Sequence, residues 1–528
     1  MASEGGDGRV FSSSLVVRRS ARRSRTPGLS ECRRSRLLTT VNVGSRWRGA
    51  GGFGVVSCAP SMHRARPAAL VLAVASAFAA RPFAQPGDDP VAIVRSYFAV
   101  SDSSGRAALA ARLAAHRDYR PSRLREWIHR AAPFSPQDPG PQKLTVDIGA
   151  GESREVFLFV PAGYRPDRPW PLIYALHPSG QPAEEWGNQM QHMLGTRARE
   201  FLIASPEYRQ NYVFALPPFV PEHPAILDAV ARRVHVDADR VYPFGYSKGG
   251  FGAWFVSLYY PDRVAGAISM SAGFDVAPAD DGFWKLFVQN IAHIPTLNTW
   301  GERDTLVIRG LDEKPVETFA ESNRRFEREV RGMRLPIINL EVPGGQHNQL
   351  APPPEAIVGI LATRRKEDPA RVTHSFRHLH QASCYWLEGL SWVGERWGDP
   401  RPALLPARDG EPEAQVIART LEPPLGRLTG EIDGQMIRVT RRHIGDVVIW
   451  LGERTIDWGR PIVVEVDGKT AFSGRVTRDA SVALARAAMT MDFDALRFAG
   501  LRVSGGGQVS MVTAATLPEP VWRTGLGR

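Results

Sequence analysis

Gly245-Tyr246-Ser247-Lys248-Gly249-Gly250 follows a strand-like run over residues 240–244 and opens an apolar helical stretch over residues 249–260. That setting turns a loose G-x-S-x-G pattern into a strand–turn–helix elbow. The glycines suit it because so sharp a turn brings neighbouring backbones too close for a Cβ, and the turn lifts the serine oxygen clear of the sheet. A helix starting at Lys248 aims its free N–H groups and positive end at the space beside that oxygen, where developing negative charge would be stabilised. Ser247 is therefore the candidate nucleophile.

Outward from the elbow, strands alternate with helices. Residues 155–160, 172–176, 266–270, 296–300 and 337–341 read as strands, and 316–331 as a helix between two of them. The run Leu172-Ile173-Tyr174-Ala175-Leu176 is apolar throughout, as in a strand buried on both faces of a parallel sheet. The pattern predicts an α/β domain over 141–365, a mostly parallel sheet with flanking helices. Residues 88–140 precede it as a helical segment, with Val91, Val94, Leu124, Trp127 and Ile128 at helical spacing, followed by a proline-rich linker.

Past Pro369 the pattern changes again. Asp433-Gly434 and Asp467-Gly468 each lie between β-patterned runs, a strong hairpin signal, and 446–451 and 508–512 add strands. Residues 369–515 are thus predicted as a β-rich, sandwich-like accessory domain with one helix at 482–489. The connection at 364–368 reads as a charged, exposed stretch. A chain of 528 residues needs such division, since single cores stop growing near ~250–300 residues.

The net charge of +11 is concentrated at the start, where residues 1–61 hold eleven arginines and three acids and leave only +3 for the rest. Nucleic-acid binding by the folded part therefore has no electrostatic support. Residues 62–79 read as a secretory signal peptide, with His63, Arg64 and Arg66 before an apolar stretch and Ala77-Phe78-Ala79 as the cleavage pattern; Ala84 is the second choice. The apolar stretch is shorter than the ~20 residues of a membrane span, so no span is expected after cleavage. The Arg-rich 1–61 extension then reads as outside the native product, with Met62 as the start, or as a transit-type leader. Cleavage would remove Cys32 and Cys58 and leave Cys384 alone, without an intrachain disulfide.

The elbow, Val160-Pro161-Ala162-Gly163-Tyr164, Trp170 to His177, and Tyr260-Pro261-Asp262-Arg263-Val264-Ala265-Gly266-Ala267 together resemble the α/β-hydrolase superfamily. Within it the likeness is to the secreted esterase group: feruloyl esterases, polyhydroxybutyrate depolymerase-like proteins and peptidases related to prolyl oligopeptidase. It runs from about residue 150 to 360. The resemblance implies a Ser-Asp-His order. Residues 299–307 resemble the acid loop, which makes Asp304 the acid, with Glu302 and Asp312 as fallbacks. Pro343-Gly344-Gly345-Gln346-His347-Asn348 resembles the histidine loop and makes His347 the base. The oxyanion would be met by the Lys248 N–H and by one from the loop after His177. There the chain departs from the family pattern: Pro178 has no N–H, so Ser179 or Gly180 would donate.

The implied activity is hydrolysis of a carboxylic ester, plant- or polymer-derived, through an acyl-enzyme and without metal or cofactor, in a secreted or periplasmic protein. The alternatives are a serine peptidase of the prolyl oligopeptidase type and a catalytically idle hydrolase scaffold that binds through its β-rich domain. His177, Trp186 and Tyr246 are the candidate pocket residues. His374, His378 and His380 lack a carboxylate or cysteine at ligand spacing and read as packing or solvated side chains.

Overall fold

The computed structural model describes residues 89–525 apart from 150, 209–218, 273–282, 310–314, 349, 351 and 397–404. The arginine-rich extension, the signal segment and the fallback acid Asp312 lie outside the described residues. Three helices come first: α1 (Pro90–Ala99), α2 (Ser103–Ala114) and α3 (Pro121–Ala131). Asp89 and Asp102 cap the first two by accepting from backbone N–H groups, and proline opens α1 and α3, where a missing N–H does no harm.

An eight-stranded sheet follows, made of β1 (Gly140–Gly149), β2 (Glu152–Val160), β3 (Trp170–Leu176), β4 (Leu202–Pro206), β5 (Val236–Tyr246), β6 (Ala267–Met270), β7 (Thr296–Gly301) and, after the small hairpin β8 (Val307–Arg309) and β9 (Pro315–Thr318), β10 (Ile337–Val342). The strand order is β1-β2-β4-β3-β5-β6-β7-β10. The pairs β1–β2 and β2–β4 are antiparallel, and every pair from β4 to β10 is parallel. Helices α4 (Ala183–Leu194), α5 (Phe219–Arg233), α6 (Lys248–Tyr259), α7 (Phe319–Val330) and α8 (Pro354–Leu361) accompany it. This is an α/β-hydrolase sheet with helices on both faces.

β3 shows why the sheet sits where it does. Leu172, Tyr174 and Leu176 enter the core packed with Trp254 and Leu258 of α6 and Phe326 of α7. Ile173 and Ala175 point the other way, to the core shared with Trp186 and Met190 of α4 and Ile357 and Ile360 of α8. Strand periodicity sends alternate side chains to opposite faces, and both faces are apolar because both are covered.

The remaining strands form two five-stranded sheets. One holds β11 (Arg371–Phe376), β14 (Gly426–Asp433), β15 (Met436–Arg442), β17 (Ile462–Val466) and β18 (Lys469–Gly474); the other holds β12 (Ser383–Cys384), β13 (Leu387–Gly389), β16 (Val447–Gly452), β19 (Arg497–Val503) and β20 (Val509–Met511). Leu428, Ile437 and Val464 of the first sheet share a core with Leu387, Ile449 and Leu501 of the second, so the two pack as a sandwich. Helix α9 (Glu413–Leu421) and helix α10 (Ala480–Thr490) complete this part. Asp467 and Gly468 both take positive φ, as the turn joining β17 to β18 requires. Cys384 is buried in the sandwich core, where burial pushes its thiol up.

Two expectations need correction. The stretch 364–368 is not exposed throughout: Arg364 and Lys366 are, but the residues beside them are not. Arg365 is buried and donates to both Asp239 and Asp492, and Asp368 is held by Arg497 and Thr455. Charged residues of this kind can leave water only when paired, and that pairing cannot be seen in the local sequence. Nor do the first helices simply precede the α/β part: Val94, Leu124, Trp127 and Ile128 share a core with Ala483, Leu484 and Ala487 of α10. The described residues, which lie within 89–525, all belong to one compact unit.

Candidate active site

Ser247 sits at the C-terminal end of β5, where φ is +52° and ψ −119°, and α6 begins at the next residue. Its N–H donates to the Met270 carbonyl of β6 at 2.8 Å, which fixes the turn against the sheet. A Cβ on Gly245 would lie 1.9 Å from the Gly249 carbonyl oxygen, and one on Gly249 would lie 1.8 Å from that of Leu176. Only glycine fits at either place, and the strained φ of a non-glycine residue between them is sustained by this packing.

The acid and histidine loops follow β7 and β10 and are laced together. Arg303 N–H donates to the Gly345 carbonyl at 2.8 Å, Glu302 N–H to the Val342 carbonyl at 3.0 Å, and Gly344 N–H to the Glu302 carboxylate at 2.7 Å. This lacing brings His347 Nδ1 to 2.8 Å from Asp304 Oδ2 and its Nε2 to 2.9 Å from Ser247 Oγ. Asp304 is wholly buried and Ser247 is 9% exposed. With the carboxylate ionised, Nδ1 carries the proton and donates to Asp304, so Nε2 is left to accept the serine proton.

Around this chain, the Tyr246 hydroxyl donates to the His347 carbonyl, and its ring stacks on Trp186 with centroids 6.0 Å apart. Burial pushes the Tyr246 hydroxyl up to about 12, with the Asp304 charge adding to the effect. Phe319 flanks the His347 ring with centroids 4.9 Å apart. Glu302, a fallback acid, instead holds the histidine loop. The sequence offered no signal for that contact, nor for those of Tyr246 and Phe319, because each partner lies on another element.

The pocket expectation needs revision at two positions. Trp186 is 1% exposed on α4 and supports Tyr246 from below, so it offers no surface to a ligand. His177 is 2% exposed; its Nδ1 lies 2.9 Å from the Pro178 carbonyl, and its ring stacks on Tyr208 at 3.9 Å. Burial lowers its pKa to about 4, which keeps it neutral. The loop it opens runs beside the elbow, since Gly249 approaches the His177 carbonyl closely, and Gly180 in that loop has a φ of +74°. Lys248 opens α6, and its N–H has no acceptor four residues back within the helix.

Among the described residues, Asp237, Asp239 and Asp494 are the acids grouped closely enough to hold a metal ion. Arg240, Arg364 and Arg365 already bind the first two, while His129 and the Ala238 N–H approach Asp494. Their charge is met by guanidinium groups and backbone. His374 is buried with Nε2 at 2.6 Å from the Gln381 carbonyl, and His378 and His380 stack with centroids 5.3 Å apart. These histidines pack.

No protein-family profile matches the chain. A curated protein named "Putative esterase NocK", from Nocardia uniformis subsp. tsuyamanensis, is 32% identical over 97 residues, which are 18% of this chain and 26% of that protein. The match thus spans about a quarter of that relative's length. Among solved structures, a thermostable esterase aligns over 43% of this chain and 63% of its own at 20% identity and a TM-score of 0.35. The poly(3-hydroxybutyrate) depolymerase LpqC of Bordetella parapertussis aligns over 40% of this chain and 86% of its own at 16% identity and a TM-score of 0.33. At such levels the chemistry has to be read from the side chains themselves. By its own strand order, and by the elbow that sets a serine at the end of the central strand, the chain has the α/β-hydrolase fold.

Proposed function

We propose that this protein is a serine hydrolase of carboxylic esters that works through an acyl-enzyme on Ser247. His347 takes the serine proton as Oγ attacks the ester carbonyl, then returns it to the leaving alcohol; Asp304 holds the ring and stabilises the imidazolium. The oxyanion is met by the N–H of Lys248 at the start of α6 and by that of Ser179 or Gly180. Water then attacks the acyl group by the same path in reverse. The observation that carries this reading is the unbroken chain from Asp304 through His347 to a strained, elbow-borne serine. Plant- or polymer-derived esters are the proposed substrates, with the β-rich part serving binding or stability.

We place the mature protein outside the cytoplasm, on the strength of the signal pattern at 62–79. Among the described residues no helix is long and apolar enough to cross a membrane. Fluorophosphonate labelling of the folded protein, followed by a panel of acetyl, feruloyl, polyester and peptide substrates, tests the activity. Labelling confined to Ser247 with turnover of an ester is the expected result. A folded protein that takes no label would leave the non-catalytic scaffold, and turnover of the peptides alone would leave the peptidase.

A further inference from the structure

A cavity of about 100 Å³ lies away from Ser247, between the amino-terminal ends of β3 and β5 and the sandwich, bounded by Leu172, Val236, Asp262, Arg263, Tyr385 and Trp522. Ligands of open α/β sheets bind at the carboxyl ends of the strands, so this space is not the catalytic pocket. It has room for several waters or a small ion. Charged residues crowd its wall, and most are matched: Arg365 by Asp239 and Asp492, Arg486 by Glu388, Arg497 by Asp368, and Asp228 by Arg232 and Arg523. Asp262 accepts from the Ser383 hydroxyl.

Arg263 differs from its neighbours. Its guanidinium stacks over Trp522, 4.3 Å from the ring centroid, and no carboxylate of the described residues forms an ion pair with it. Lys366, exposed at the same cavity, also has no acid within ion-pair distance among the described residues. Arg263 is half-buried, so its planar fork, which has no ion-pair partner among the described residues, is open to a carboxylate or phosphate. We propose that this cavity binds a small oxyanion, a carboxylate or a phosphate, which bridges Arg263 and Lys366. Removal from water lowers the Arg263 pKa, and the charges of Asp262, Asp228 and Asp492 offset this only in part.

The full chain is titrated with inorganic phosphate and, separately, with acetate, at constant ionic strength against chloride, and Tm and calorimetric binding are read. A saturable rise in Tm with either probe is expected, and which probe gives it identifies the source. Arg263→Met should weaken that binding by about tenfold or more, and Arg263→Lys by less, because lysine keeps the charge and loses the fork. Ester turnover should be unchanged in both variants. If neither probe shifts Tm beyond chloride, or if Arg263→Met binds as the parent does, the proposal fails. Should Arg263→Met fold poorly, the Arg263→Lys titration decides in the same way.

Discussion

β5 carries different kinds of site at its two ends. At its carboxyl end Ser247 is held in a strained turn and joined to His347 and Asp304 by hydrogen bonds within one sheet layer. At its amino end Asp237 and Asp239 meet Arg364 and Arg365 from the far side of the chain, and Arg365 reaches on to Asp492 in the sandwich. Strain at the first end serves the proposed chemistry, and its side chains can be trimmed without opening the core. Charge at the second end serves assembly, and trimming one partner leaves another buried without a counter-ion.

The sharpest test of that contrast is to remove the serine or the histidine. Ser247→Ala and His347→Ala should each lower kcat on a nitrophenyl ester by roughly 10⁶-fold, since triad members act as a unit. Asp304→Asn should lower it by about 10⁴-fold. Tm should stay near that of the parent in all three. Greater damage from Glu302→Gln than from Asp304→Asn would move the acid to Glu302.

The other end should answer in the opposite sense. Arg365→Met should remove about 3–5 kcal/mol of stability in urea unfolding while the folded fraction keeps its kcat. Truncation near Lys366 goes further, because Leu421, Leu425 and Trp522 fill the core beside β3 and Asn290 donates to the Ser375 carbonyl. We expect that truncated chain to aggregate. A soluble truncation retaining full turnover would show that the junction is dispensable and would overturn the contrast.

Each end also holds a buried histidine. His177 beside the elbow and His235 beside Pro166 and His129 are both lowered to about 4, chiefly by burial. Between pH 6.5 and 4 the unfolded chain takes up protons at these positions and the folded chain does not. Stability should therefore fall as pH drops through that window, by up to about 1.4 kcal/mol per unit for each histidine. Asp492, held down by Arg365 against the opposing effect of burial, behaves otherwise. Its contribution is intact above pH 4 and is lost only as pH falls through its depressed folded pKa. Urea midpoints at pH 7, 5.5 and 4 check this, and a flat profile from pH 7 to 5.5 would contradict it.

What could be read in advance follows the same division. The Ser247 elbow, β3, α6 and the β17–β18 turn carry local signatures, because glycine spacing, apolar runs and Asp-Gly pairs act over a few residues. β1 and β4 escaped notice: β1 opens with Gly140-Pro141 and has one face half open, and β4 is five residues ending in Ser205-Pro206. The burial of Arg365 was illegible for a stronger reason. Its partners Asp239 and Asp492 lie 126 and 127 residues away on either side, and a charged run gives no sign of partners so distant.

The smallest predicted effect concerns Tyr246, which joins the elbow to the base. It precedes Ser247 directly, rests on Trp186 and donates to the carbonyl of His347 itself. Ser247 and His347, the proposed nucleophile and base, are thus tied by a strut outside the proposed proton path. Tyr246→Phe keeps the ring and its stacking and removes only the donor, so fold and Tm should hardly change. A neutral hydrogen bond contributes about 0.5–1.5 kcal/mol, which corresponds to roughly a two- to tenfold fall in kcat if the His347 loop loosens. KM should stay near the parent value, because the hydroxyl is engaged with backbone and not with the ester. Tyr246→Ala would also strip the support above Trp186 and should lower Tm as well as kcat. An unchanged kcat in Tyr246→Phe would mean that the Glu302 and Arg303 contacts alone fix the histidine. A rise in KM at constant kcat would mean instead that Tyr246 touches substrate, as its place among the pocket candidates implies.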